Sequence, residues 1–294
     1  LSKSRFLAGL HCPLNLWYQC YNRHLTSEIS PAQQAIFDMG HEVGRLATQL
    51  YPGGILIEED HMHHREAVQS TLLAMKDPNV AAIYEAAFIS DGVRIRVDIL
   101  ERLNDGAWNL IEVKSATSVK DLYLPDVAVQ YHVLTGAGLN IHTAAILHLN
   151  NQYVYDGKQL DFNGLFTFSD LTEEVLNLQN DIPSQLAELN EMLAETNPPE
   201  IYPSKSCISP YKCGFWEHCT AEMPEYWVMR LGGISQTKFN HLVEMGIEDI
   251  SQIPDSFPLS ALQSKMRACV ANREEYIDPD LLGELMDVEY PVHF

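Results

Sequence analysis

Two runs of strand composition, Val93–Leu103 and Asn109–Thr117, lie either side of Asn104-Asp105-Gly106 and constrain this chain more than any other stretch. In the first run Val93, Ile95, Val97 and Ile99 alternate with Arg94, Arg96 and Asp98, the period of a half-buried strand. A three-residue loop with glycine at its left-handed position turns such a run back on itself and pairs Leu103 with Ala107. Counting back from that closure sets Asp98 opposite Glu112. Glu112 and Lys114, two apart in Leu-Ile-Glu-Val-Lys, share one strand face. Directly opposed side chains have Cβ atoms about 5 Å apart, and two carboxylates at that spacing repel unless a cation lies between them. A divalent metal meets that need.

An aspartate on one strand followed by Glu-x-Lys on its hairpin partner resembles the signature of the PD-(D/E)XK nucleases. The resemblance implies that Asp98, Glu112 and the Val113 carbonyl hold Mg²⁺ or Mn²⁺, and that Lys114 positions or deprotonates the attacking water. It also implies a restriction-endonuclease-like core, a mixed α/β (α+β) fold with a central mixed sheet flanked by helices. The plain alternative is a solvated hairpin face that happens to carry Asp, Glu and Lys.

The 294 residues fit two domains, or one large domain with an appendage. A net charge of −21 argues against a protein that holds nucleic acid by its overall field, so any nucleic acid is gripped locally. No apolar run approaches the roughly 20 residues that span a bilayer, and the first residues lack the layout of a signal peptide. The expectation is a cytoplasmic protein with no membrane partner. In a reducing compartment the six cysteines serve as metal ligands or core thiols rather than disulfides. The final Val288–Phe294 reads as the start of a strand cut short, a truncated segment over 286–294.

Leu1–Tyr18 suggests a short capped helix running into Cys12-Pro13, with Cys12 alone reading as a core thiol. Cys207, Cys213 and Cys219 recur at even spacing, each pair separated by five residues, wider than the usual spacing of zinc ligands. One cysteine near the start and three after the expected sheet resemble the iron-sulfur branch of the RecB-like nucleases, which includes the CRISPR-associated adaptation nucleases and AddB. That resemblance implies a 4Fe-4S cluster on Cys12, Cys207, Cys213 and Cys219. Zinc is the alternative, with Cys20, His11 or His218 replacing one ligand, and Cys269 reads as a core thiol.

Ser30, Pro31 and Gln33 open a helix expected to run to about Leu50 and to stop at Pro52-Gly53-Gly54. Its apolar stripe is Ile36, Met39, Val43, Leu46 and Leu50, with Gly40, Gly44 and Ala47 beside it allowing close approach to another element. RecB-like nucleases carry a metal-binding histidine on such a helix, and the resemblance implies His41 here; a surface histidine is the competing account. His61, His63 and His64 read as solvated. A strand over 80–90 leads into the two-residue turn Asp91-Gly92, and Glu85 on it reads as structural, though able to lean toward the site. Pro125-Asp126 opens a further helix whose Gln130 matches the glutamine that supports the lysine in RecB-like nucleases; the expected tyrosine one turn on is displaced to Tyr131. Strands follow at 142–149 and 152–155, then one long helix from Ser169.

The organisation expected is a nuclease domain over 1–222 and a small helical domain over 223–285. Within the latter, Gly232–Ile247 resembles a helix-hairpin-helix unit, whose acidic Gly246-Ile-Glu-Asp249 favours a packing role or a protein partner over DNA binding. The function implied is a metal-dependent nuclease cutting DNA phosphodiester bonds, an exonuclease on single-stranded ends. The alternative is an iron-sulfur DNA-end-binding or scaffold module with little or no catalysis.

Overall fold

The computed structural model of the chain describes residues 1–277 and Gly283. The truncated strand expected at 286–294 lies outside the described residues. Turn chemistry sets the centre of an open six-stranded mixed sheet, in which β1 (Ile55–Leu56), β2 (Ala82–Ser90), β3 (Val93–Arg102), β4 (Trp108–Lys114), β5 (Ile141–Leu149) and β6 (Phe166–Asp170) lie side by side in chain order. Asp91 and Gly92 both take positive φ (49° and 71°), the two-residue turn whose twist matches its strands, and Ser90 pairs with Val93. Gly106 (φ 86°) closes the next hairpin, where the Leu103 N–H donates to the Ala107 carbonyl at 2.9 Å. The expected register follows, with Arg102 opposite Trp108 and Ile99 opposite Ile111. β1 runs parallel to β2 and β4 parallel to β5, whereas the other neighbours are antiparallel.

Helices cover both faces of this sheet. α1 (Lys3–His11), α2 (Pro13–Tyr21), α3 (Pro31–Ala47) and α4 (His64–Lys76) precede the central strands. α5 (Leu124–Gly136) forms the crossover that parallel β4 and β5 require. The single turn α6 (Phe162–Leu165), α7 (Thr172–Leu178) and α8 (Ile182–Ala194) follow. The larger core joins Phe6 of α1, Ala67 of α4, Val127 and Leu134 of α5 and Leu186 of α8 to Ile95, Leu110 and Ile146. α3 supplies Val43 and Ala47 to a smaller core with Ile99, Ile111 and Leu147. Gly9 lets α1 approach its neighbours, since a Cβ there would stand 2.8 Å from side-chain carbons of Leu16 and Leu189.

Three local expectations need correcting. In α3, capped by the Ser30 hydroxyl that accepts the Gln33 N–H at 3.2 Å, only the C-terminal half of the apolar stripe is buried; Ile36 and Met39 are 54% and 56% exposed. Among the described residues nothing lies within 4 Å of a Cβ built at Gly40 or Gly44, so that half of the helix borders open space. Residues 152–155 form no strand, because the Asn150 side chain takes the Gln152 N–H into a turn and Val154 and Tyr155 are exposed. Among the described residues the last strand is Phe166–Asp170, and the long helix expected from Ser169 begins instead at Thr172 and breaks before Pro183, whose ring and missing N–H suit the start of α8.

The chain divides into two compact units, Leu1–Ile201 and the part from Tyr202 onward. In the second, Trp227 is 1% exposed and packs against Tyr202, Trp216 and Phe239, with its indole N–H donated to the Tyr202 hydroxyl at 3.1 Å. This aromatic packing assigns residues 202–222 to the helical unit, whereas the sequence suggests a boundary at 222/223. Among residues 202–277 its α-helices are the single turn α9 (Trp216–Cys219), α10 (Gln236–Glu244) and α11 (Ala261–Asn272). Phe239 and Leu242 of α10 are buried, Val243 beside them is half-buried, and Gly246 (φ 71°) ends that helix. Among the described residues no helix is long and apolar enough to cross a membrane.

Candidate active site

The ladder between β3 and β4 stops at Ile99 and Ile111, while β4 continues beside β5 through Glu112, Val113 and Lys114. Extending the register by one step puts Asp98 opposite Glu112. At that step a side chain replaces the ladder: Asp98 Oδ2 accepts the Val113 N–H at 2.7 Å. On the other side of β3 the register sets Glu85 of β2 opposite Asp98, and Glu85 has a positive φ of 54°. Three neighbouring strands thus carry a row of carboxylates. They line a cleft of about 1020 Å³ that Phe37 and His41 of α3 border from the other side, together with Val113 and Lys114.

Glu112, only 3% exposed, is held by three side chains. Lys114 Nζ donates to Oε1 at 2.7 Å, the Gln130 amide to Oε2 at 2.8 Å, and Lys3 Nζ to both oxygens at 3.1 Å. Asp126, in the first turn of α5, completes the cluster: it accepts from Lys114 at 2.6 Å and lies 3.0 Å from Lys3 Nζ. Gln130, one turn further along α5, also donates to Asp126 at 3.1 Å. Two buried carboxylates and two ammonium groups therefore form one interlocked set, which buried charges require.

The electrostatics of the row are uneven. Burial, then the Glu112 charge, push the Asp98 carboxyl up to about 8, and Lys3 and the Val113 N–H offset only part of this. Burial alone would raise Glu112 too, but Lys3 and Lys114 outweigh it and hold Glu112 well below the usual carboxylate range. Burial works against the Lys3 and Lys114 cations, yet Glu112 and Asp126 outweigh it and hold both well above the ordinary lysine value. Glu85 is raised by burial, with Arg96 3.9 Å away pulling the other way.

Of the residues singled out from sequence, Asp98, Glu112, Val113, Lys114 and His41 line the same cleft. Gln130 reaches Glu112 and Asp126 rather than Lys114. Tyr131 is half-buried against the larger core, and the Tyr123 ring lies 5.4 Å from the Lys114 ammonium. Glu42 pairs with Arg45 on the exposed side of α3. Sequence reasoning missed Lys3 and Asp126. Asp126 left a signal, since it lies four residues before Gln130 and so shares its helix face; Lys3, 109 residues from Glu112, left none.

His64 is not solvated as expected: it is buried at the start of α4, with Nε2 3.1 Å from the Phe88 carbonyl, whereas His63 is exposed and pairs with Asp60. All six cysteines are half-buried. Cys12 joins α1 to α2 in the first unit, and Cys20 packs against the larger core. In the second unit the Cys213 N–H donates to the Cys207 carbonyl at 2.7 Å, and Cys219 ends α9. Cys269 is half-buried on α11. Among the described residues no group of three or more His, Cys, Asp or Glu side chains is arranged to hold a metal ion. At Gly246-Ile-Glu-Asp249 the amide N–H groups of Gly246, Ile247 and Asp249 all donate within the unit, to Val243, Leu242 and Gln252.

No protein-family model matches the chain, and no curated protein matches it significantly.

Proposed function

We propose that this protein is a metal-dependent nuclease that hydrolyses DNA phosphodiester bonds, acting as an exonuclease on single-stranded ends. The observation that carries the reading is the meeting of Asp98, Glu112 and Lys114 in the cleft where β3 and β4 part. The donor chemistry fits a hard divalent cation, for Asp98 and Glu112 set carboxylate oxygens side by side in the cleft, and burial together with the Glu112 charge pushes the Asp98 carboxyl up to about 8. Asp98, Glu112 and the Val113 carbonyl would hold Mg²⁺ or Mn²⁺, with His41 and Glu85 bordering the same cleft. Such an ion polarises the phosphodiester and lowers the pKa of bound water.

The chain's own groups supply the rest. Lys114, tied to Glu112 and Asp126, is firmly cationic, so its part is to orient water and stabilise charge on the phosphate, not to remove a proton. Gln130 fixes the Glu112 carboxylate in rotation. Phe37, 44% exposed on the cleft wall, offers a ring to an unstacked base, which favours single strands. A 4Fe-4S cluster on Cys12, Cys207, Cys213 and Cys219, or zinc in its place, belongs to the same proposal and rests on the sequence. A protein partner for the helical unit is favoured over DNA because amides of its hairpin are used internally.

Labelled single- and double-stranded DNA incubated with Mn²⁺ tests the reading: the parent protein should degrade single strands and Lys114→Ala should not. No cleavage of either substrate with Mn²⁺ or Mg²⁺ overturns it. A second reading, a DNA-end-binding or scaffold module with little catalysis, is favoured by the lysines that crowd Glu112. Binding of DNA ends without cleavage in the same assay supports that one.

A further inference from the structure

A carboxylate offers about four acceptor positions, and Glu112 uses that number within the chain: Lys114 and Lys3 at Oε1, Gln130 and Lys3 at Oε2. Any metal bond to Glu112 must therefore displace a donor already there. The two contacts from Lys3 are the longest of the four, 3.1 Å against 2.7 and 2.8 Å, and so the weakest held. Lys3 also has a second seat, Asp126 at 3.0 Å, which it keeps when it releases Glu112. Its backbone is fixed: the Ser2 hydroxyl caps α1, and Phe6 is wholly buried. Exchange then needs only the side chain to move. Charge points the same way. With Asp98 ionised, Asp98, Glu112 and Asp126 face two ammonium groups, leaving one negative charge to meet a doubly charged ion; without the Lys3 charge there are two.

We propose that Lys3 sets the divalent-metal affinity of this site by occupying, with its ammonium, the Glu112 acceptor positions that the metal takes, and that metal binding moves Lys3 onto Asp126 alone. The inference rests on the metal-dependent reading of the cleft. Lys3 is a positioning residue in this scheme: it competes for a ligand and never touches the bond that is cut.

Calorimetric titration of Mn²⁺ into the full chain, without DNA, tests it. Lys3→Met should bind Mn²⁺ about tenfold more tightly or better, because a like charge within a few ångströms is removed. Asp98→Asn should lose binding. If Lys3→Met binds with the parent's affinity while Asp98→Asn loses it, the competition is refuted and the metal site stands. If no protein binds Mn²⁺, both fall. Should Lys3→Met fail to fold, acetylation of the parent protein read by peptide mass spectrometry decides the matter. Saturating Mn²⁺ should raise Lys3 labelling several-fold, and labelling that does not change refutes the exchange.

Discussion

Replacing Asp98 with asparagine should stabilise the protein in chelating buffer, by an amount that grows with pH. Burial and the facing Glu112 charge push the Asp98 carboxyl to about 8, whereas an aspartate in an unfolded chain titrates near 3.9. Between those values the folded protein keeps a proton that the unfolded chain has released. The parent's stability therefore falls as pH rises through this window, by up to about 1.4 kcal/mol per pH unit, and the loss ends above pH 8. Asparagine is nearly isosteric, carries no charge and retains an oxygen for the Val113 N–H that Asp98 accepts at 2.7 Å. Urea unfolding of both proteins at pH 5.5, 6.5, 7.5 and 8.5 gives the difference directly, and taking the difference cancels every group the two share. From pH 5.5 to 7.5 the advantage of Asp98→Asn should widen by as much as about 3 kcal/mol and then level off. A difference that stays flat across that interval would refute the electrostatic account of the carboxylate row.

Glu112→Gln should behave in the opposite sense, destabilising by up to about 3 kcal/mol, because it leaves the half-buried Lys3 and Lys114 sharing Asp126; a melting temperature at or above the parent's would sink this. Sequence alone suggests relief of repulsion at both carboxylates, and the two lysines reverse that expectation at Glu112. His41→Ala should raise the Mn²⁺ concentration needed for half-maximal cleavage with little change in Mg²⁺, since imidazole suits the softer ion; superimposable titrations would return His41 to the helix surface. Anaerobically purified protein should be brown and hold about four irons per chain that are lost on oxidation. Cys12→Ala, Cys207→Ala, Cys213→Ala and Cys219→Ala should then aggregate while Cys20→Ala and Cys269→Ala stay mild. One zinc per chain in a colourless preparation would replace the cluster with zinc, and a stable metal-free active protein would remove both.

The centre of the sheet was legible in the sequence because its determinants are local. Asp91-Gly92 and Gly106 fix two turns, and period-two burial fixes the faces between them, so the Asp98 and Glu112 register followed from counting. Where two segments carried similar local signals, the sequence misled. Tyr153 and Tyr155 alternate much as Phe166 and Phe168 do, but only the second pair lies beside β5, and a strand exists only where a neighbour takes its backbone hydrogen bonds. Lys3 was illegible for a related reason. Its ammonium meets Glu112 only because Phe6, Gly9 and the α8 leucines seat α1 against the core, a contact no short-range pattern encodes.

Lys3 and Asp126 together change what the strand motif does without changing its charge. One adds an ammonium and the other a carboxylate, so with Asp98 ionised the set keeps the single negative charge of Asp98, Glu112 and Lys114 alone. What the pair alters is freedom. Lys114 is pinned between two carboxylates at 2.7 and 2.6 Å, and Glu112 is held by three side chains. Neither can reorient without breaking these ion pairs, which preorganises the Lys114 ammonium at the cleft. Asp98 is the exception. Burial and the Glu112 charge push its carboxyl up to about 8, and it accepts one backbone N–H, so on the proposed reading proton release at Asp98 and withdrawal of Lys3 from Glu112 would be the changes by which the cluster admits a metal.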